Sequence, residues 1–233
     1  MDLGLLELLY PPTCVACGEV LEAPSLLCEP CELQVAPPPR PCCPRCAEPL
    51  FNGRSLCARC VARPPPFTET FAPFLHEGPI AKAIHRFKYE DHPELAPRLA
   101  ALVLQRAAEG LDLREKPTLV AIPLHRRRLR TRGFDQAELL AREMAQRAQL
   151  PYLAEGLLRH RETRRQVGLS ESAREENLAQ AFTARPSVRG RTLLLVDDVF
   201  TTGATARAAA TALLAAGAAK VRVLVLARAY GLD

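Results

Sequence analysis

The sequence predicts an α/β protein, a parallel sheet with helices on both faces, preceded by a small cysteine-rich module. Three observations predict it. The stretch Thr192-Leu-Leu-Leu-Val-Asp197-Asp198-Val-Phe-Thr201-Thr202-Gly203-Ala204-Thr205 reads as strand, turn and helix, and the alanine-rich run from Ala204 to Ala216 is strongly helix-forming. Lys220 to Ala227 adds a second buried strand after Gly217, closing a βαβ unit expected to cross right-handed. Eight of the nine cysteines fall into one spacing that is then repeated.

A chain of 233 residues can hold one sizeable core and a satellite, and the boundary is expected at residue 66, giving a module over 1–66 and an α/β domain over 67–233. No apolar run approaches the ~20 residues that would span a bilayer, so membrane insertion is not expected. The N-terminal residues carry no basic run and are interrupted by Glu7, which argues against a secretory signal and for the cytoplasm. The net charge of +5 is uneven: His125 to Arg191 holds 15 arginines against 8 acids, whereas Met1 to Pro66 holds 5 basic and 7 acidic residues. An anionic ligand should therefore meet the middle of the chain. Oligomeric state leaves no signature.

In chain order, leucines at 3, 5, 6, 8 and 9 suit a short docked helix. Cys14-x2-Cys17-x10-Cys28-x2-Cys31 and Cys43-x2-Cys46-x10-Cys57-x2-Cys60 repeat with a period of 29 residues. A Cys-x2-Cys turn presents two thiolates to one tetrahedral metal, and two turns complete a closed four-cysteine zinc site. A reducing compartment disfavours disulfides, so two structural zincs are expected, in sites that are either sequential or interleaved. Metal replaces the core that so short and proline-rich a module cannot build. Cys42 is left over, as a packed or spare thiol. Residues 1–66 are net negative before thiolates are counted, which makes the module a poor grip on nucleic acid and favours protein docking or bracing.

Pro64 to Pro66 is a stiff connector and Phe67 to Leu75 a strand, at the sheet edge because of Pro73. Pro79 to Tyr89 and Pro93 to Ala108 have the apolar spacing of amphipathic helices. Lys88 is either a solvated charge or a group approaching the ligand. Thr118 to Ile122 is a short strand, followed by a dense basic loop of His125, Arg126, Arg127, Arg128, Arg130 and Arg132 closed by Gly133, with Phe134 the one aromatic beside it. Asp135 to Gln149 is the next helix and Leu157 to Arg159 another short strand. His160 to Asn177 is polar, arginine-rich and poorly periodic, as a mobile lid would be.

Ligands of open α/β sheets sit where strands end and helices begin, at unpaired N–H groups bearing partial positive charge. Thr201, Thr202 and Thr205 add hydroxyl donors there, Ala204 opens the helix, and Gly203 leaves room for an oxyanion against the backbone. Asp197 and Asp198 suit ribose hydroxyls or Mg²⁺. The basic loop should lie on the same sheet edge. Neither G-x-x-x-x-G-K-[ST] nor G-x-G-x-x-G occurs, which excludes the common nucleotide-hydrolase and dinucleotide folds.

The 192–205 segment resembles the phosphoribosyl pyrophosphate (PRPP) loop of type I phosphoribosyltransferases. With the cysteine pairs, Phe87-Lys88-Tyr89, Pro123 to Ala137 and Arg161 to Phe182, the whole chain resembles the ComF family of competence-associated, phosphoribosyltransferase-like proteins with an N-terminal double zinc ribbon. The resemblance implies a type I phosphoribosyltransferase-like sheet, PRPP bound with Mg²⁺, pyrophosphate held by the basic loop, and a flexible lid carrying Arg161, Thr163, Gln166, Arg174 and Asn177 that closes over the ligand. Guanidinium groups there would stabilise charge developing on departing pyrophosphate. The family pattern often has Asn where this chain has Asp135.

Transferases for 6-oxopurines carry an acid at the position of Thr201, and a hydroxyl cannot do a carboxylate's proton chemistry, so the acceptor is not expected to be a salvaged purine. Two functions fit. One is transfer of the phosphoribosyl group to an unidentified acceptor with release of pyrophosphate. The other is non-catalytic binding of PRPP or another phosphorylated ligand by a protein that handles single-stranded DNA with DNA-uptake partners.

Overall fold

The computed structural model describes residues 11–21, 25–51, 53–108, 110–160 and 181–230. The helix expected over residues 3–9 and the lid candidates Arg161, Thr163, Gln166, Arg174 and Asn177 lie outside the described residues.

The repeat in the cysteine spacing is also a repeat in backbone. Each copy opens with a tight turn, Cys14 N–H donating to Glu19 O and Cys43 N–H to Glu48 O, both at 2.7 Å. Each ends in a short helix, α1 (Glu29–Glu32) or α2 (Ala58–Ala62), whose N-cap cysteine, Cys28 or Cys57, has φ −73° and ψ 157°. Thr13 pairs with Val20 across the first turn and Cys42 with Pro49 across the second, so Cys42 takes the place of Thr13 in the repeat and stands outside the metal set.

The main sheet is parallel, in the order β1 (Thr70–Phe71), β7 (Lys220–Arg228), β6 (Thr192–Phe200), β3 (Thr118–Ala121), with β2 (Phe74–Leu75) also on β7. Thr70 faces Val223 and Phe74 faces Ala227, the same offset, so β1 and β2 are one edge strand interrupted at Pro73, which has no N–H for the ladder. β6 runs through Asp197 and Asp198 to Phe200 instead of ending at the carboxylates, because its pairing with β7 continues to Phe200 opposite Arg228.

Both faces of the sheet are covered, and every residue of β7 after Lys220 is buried. On one face α3 (Gly78–Tyr89), α4 (Ala96–Ala107) and α6 (Gln136–Ala148) pack Ile84, Phe87, Leu99, Leu140 and Met144 against Leu194, Val196, Leu224 and Leu226. On the other, α7 (Ala204–Ala215) lays Ala206, Ala209 and Leu213 on Leu193, Leu195, Val223 and Val225. A separate antiparallel pair, β4 (Leu157–Arg159) and β5 (Phe182–Ala184), closes that second face. The cysteine repeats divide between the two cores: Cys14, Val15 and Cys31 join the first, and Cys43, Cys46 and Cys60 the second.

The expected basic loop is a helix, α5 (Arg126–Arg132). Arginine is a good helix former, His125 caps the first turn by accepting the Arg127 N–H at 3.3 Å, and Gly133 at φ 83° stops the last. With no buried residue of its own, α5 shows none of the apolar periodicity that marks a helix in sequence.

Candidate functional site

Successive residues of a strand point to opposite faces, so the two adjacent carboxylates meet different partners. Asp198 shares its face with Leu194 and Val196, toward α3 and α6. Lys88 Nζ lies 2.7 Å from Asp198 Oδ1, and Gln136 Nε2 donates to Asp198 Oδ2 at 2.9 Å. Asp197 faces the other way, with Oδ1 accepting the Asp198 N–H at 2.8 Å. Burial, and then the charge of Asp198, push the Asp197 carboxyl above the usual carboxylate range.

Other groups gather at this edge. His76 follows β2, and burial together with the Lys88 charge lowers its pKa. Arg159, at the end of β4, stacks over Phe182 at 5.3 Å; burial and the charge of Arg128 depress its pKa, while Asp197 and Asp135 partly offset them. The three-residue strand that supplies Arg159 follows the expected Leu157 to Arg159 span, whereas its partner β5 gives no sequence signal beyond Phe182.

Asp135 explains how the basic segment is held. Its Oδ1 accepts the N–H groups of Ala137 and Glu138 at 3.0 and 3.2 Å, capping α6, and its Oδ2 accepts the Leu124 N–H at 2.6 Å. One carboxylate thus ties together the two ends of the segment that carries α5. Asparagine, the residue common in the resembling family, also caps helices well. Burial raises the Asp135 pKa against those three N–H bonds.

Beside α5 lies a groove of about 970 Å³ lined by Lys88, Tyr89, Arg127, Arg128, Arg130, Arg132 and Phe134. Lys88 belongs to both this groove and the Asp198 pair, so it joins the basic segment to the carboxylates. Arg126, Arg127, Arg128 and Arg130 are exposed; Arg132 is half-buried, 5.1 Å over the Tyr89 ring. Phe134 is therefore not the one aromatic beside the arginines. Tyr89 stands there too, 66% exposed, brought in by packing from a helix distant in sequence.

The threonine turn follows β6 directly and does not line the groove. Thr201 and Thr202 are exposed, Ala204 and Thr205 half-buried, and Thr202 Oγ1 accepts the Ala204 N–H at 3.4 Å. Gly203 has φ 80°, and a Cβ there would come within 2.4 Å of the Phe200 ring. The glycine makes room for the Phe200 ring.

The cysteines resolve into sequential sites, Cys14, Cys17, Cys28, Cys31 and Cys43, Cys46, Cys57, Cys60, with the four sulfurs of each set within 4.8 Å of one another. Cys17 and Cys28 Sγ are 3.7 Å apart and Cys46 and Cys57 Sγ 3.5 Å. Thiolates around tetrahedral zinc stand roughly 3.8 Å apart, so both sets fit the ion. No helix among the described residues is long and apolar enough to cross a membrane.

Comparison with known proteins agrees with this architecture. The double zinc ribbon domain model matches residues 5–61, and the phosphoribosyl transferase domain model matches residues 88–230. The chain is 35% identical over 191 residues to the DNA utilization protein YhgH of Escherichia coli K12, covering 80% of this chain and 83% of that one. The chain belongs to the ComF/YhgH family. Competence protein F of Haemophilus influenzae is 29% identical over 223 residues, covering 93% of this chain and 96% of that one. A glutamine PRPP amidotransferase from B. subtilis superposes with a TM-score of 0.40 at 24% identity over 57% of this chain and 26% of that one, too loosely to add to the family match.

Within this family member, sequence reasoning missed Gln136, Arg159, His76 and Tyr89 as groups of the site. Gln136 and Tyr89 fall inside the stretches that carry the family resemblance. His76 and Arg159 stand at strand ends with no motif around them.

Proposed function

We propose that this protein binds PRPP with Mg²⁺ along the carboxyl edge of its sheet and transfers the phosphoribosyl group to an acceptor, releasing pyrophosphate. The observation that supports this best is the bridging position of Lys88, which pairs with Asp198 on β6 and lines the arginine groove of α5. Thr201 to Thr205 cradle the 5′-phosphate at the start of α7. Arg126, Arg127, Arg128, Arg130, Arg132 and His125 draw in the pyrophosphate end. Asp197 and Asp198, on opposite sides of the carboxyl end of β6, would offer oxygens to the ribose hydroxyls or to Mg²⁺, a hard cation suited to carboxylates that would neutralise phosphate charge when bound. Asp197 fits that task because a nearby cation favours the ionised form that burial disfavours. The relatives' names, DNA utilization protein and competence protein F, support a role connected with DNA utilization and competence.

Calorimetry with PRPP and Mg²⁺, on wild type and on Asp197→Asn/Asp198→Asn, tests the reading; equal binding by both removes the site. Elemental analysis should find two zincs per chain, and fewer than one ends the zinc assignment.

The exposed Tyr89 ring over the arginine groove favours a second reading, a non-catalytic protein that handles single-stranded DNA, since bases stack on aromatic faces beside cationic tracks. A catalyst releases pyrophosphate when given its acceptor. A DNA partner binds DNA with a steep salt dependence that is lost when Arg126, Arg127, Arg128 and Arg130 are replaced together by Ala.

A further inference from the structure

Each cysteine repeat is gripped by arginines from the α/β domain, and the two grips lead to different places. Arg86 Nη1 donates to Cys14 O and Val15 O at 2.9 and 3.1 Å, and Arg98 reaches Thr13 O and Ser25 O, so the first repeat is tied to α3 and α4. The second repeat is gripped by Arg228, at the last position of β7. Its Nε donates to Cys46 O at 3.1 Å and its Nη2 to Glu48 Oε2 at 2.7 Å, while Nη1 donates to Phe200 O at 3.1 Å.

That divided set of acceptors has a mechanical consequence. The Arg228 side chain is 3% exposed, and a buried guanidinium must keep its donors satisfied, so it cannot follow the repeat without leaving Phe200, or the reverse. The guanidinium also lies 5.3 Å over the Phe200 ring. That ring presses on Gly203 where any Cβ would be, so ring and turn move as one. A second tie runs in parallel: Arg207 Nη2, in the first turn of α7, donates at 3.0 Å to Arg63 O, just after α2.

We propose that Arg228 is a positioning residue, fixing the Thr201–Thr205 turn by bridging the second cysteine repeat to Phe200. The ligand of that turn rests on the proposed function; the bridge itself does not. The second repeat is thereby part of the turn's scaffold, and the first is not.

Hydrogen exchange on the full, zinc-loaded chain tests this. Glu48→Leu removes one of the repeat's two acceptors and leaves the Cys46 carbonyl, Glu48→Gln keeps both, Arg228→Met removes the bridge, and Arg98→Met loosens the first repeat as a control. With zinc content unchanged, amides 201–207 should exchange about tenfold faster in Glu48→Leu and Arg228→Met, the size of effect one buried hydrogen bond gives, and at the wild-type rate in Glu48→Gln and Arg98→Met. The affinity for PRPP with Mg²⁺ should fall about tenfold in the same two variants. Wild-type exchange at 201–207 in Glu48→Leu, or an equal rise in Arg98→Met, overturns the bridge. Should Arg228→Met fail to fold, Glu48→Leu decides. A wild type that takes no PRPP overturns the proposed function, and the exchange comparison still decides the role of Arg228.

Discussion

Lys88 and Asp198 form an ion pair of 2.7 Å whose side chains are 15% and 7% exposed, joining the last turn of α3 to the carboxyl end of β6. Exposed ion pairs contribute little, but stripping one partner from a buried pair strands a charge, and Gln136 alone cannot replace an ammonium. Lys88→Met should therefore cost about 3 kcal/mol in urea unfolding. Adding Asp198→Asn should return at least half of that, since the stranded charge is then gone. A cost under about 0.5 kcal/mol would mean that the pair behaves as a solvated one.

Asp197 gives a pH dependence whose sign follows from its pKa, which burial and Asp198 push up to about 8. Between the ordinary carboxylate range and that value the folded chain keeps a proton that the unfolded chain has released. Stability therefore declines as pH rises through this window and levels off above it. Asp135 is shifted the same way, so the informative quantity is the difference from Asp197→Asn, which lacks this titration. The variant's stability advantage should grow from about pH 5 to about pH 8.5 in denaturation midpoints. A constant difference would show that Asp197 is ionised throughout.

Asp135 separates capping from charge. Asp135→Asn keeps an oxygen for the α6 cap but loses the Leu124 bond and should cost about 1 kcal/mol, whereas Asp135→Ala loses all three N–H bonds and should cost about 2 kcal/mol or more. The exchange of amides in α5 should rise in both variants, because the amide nitrogen of Asn cannot accept the Leu124 N–H and Ala has no acceptor at all. Equal melting temperatures for the two variants would refute the clasp.

How far the sequence could be read depended on the range of the force involved. Tetrahedral metal ligation is local, so the spacing of Cys14 to Cys60 announced both sites, though only the fold showed that they are sequential. The helix after Gly203 and the strand from Lys220 were legible because apolar periodicity and alanine content are local too. The length of β6 was not, since pairing opposite Arg228 carries it past Asp197. Nor was α5, where five arginines among seven residues hide a helix that caps and a glycine define. The Lys88 to Asp198 pair joins elements far apart in sequence, and the sequence left Lys88 between a solvated charge and a group approaching the ligand.

Gly203 offers the sharpest test of the turn, because two separable costs meet there. Its φ of 80° is a left-handed conformation that L residues adopt with strain, and an added methyl would also strike the Phe200 ring. Gly203→Ala should lose about 2–3 kcal/mol, the backbone strain and the overpacking each contributing. Phe200→Leu alone should cost about 1 kcal/mol or more for the lost ring, yet in the Gly203→Ala background it should cost less or even stabilise, because the smaller side chain removes the collision. Strict additivity in that double-mutant cycle would mean that the ring and the turn do not touch in solution. A favourable coupling of about 1 kcal/mol would establish the contact through which β6 holds the start of α7.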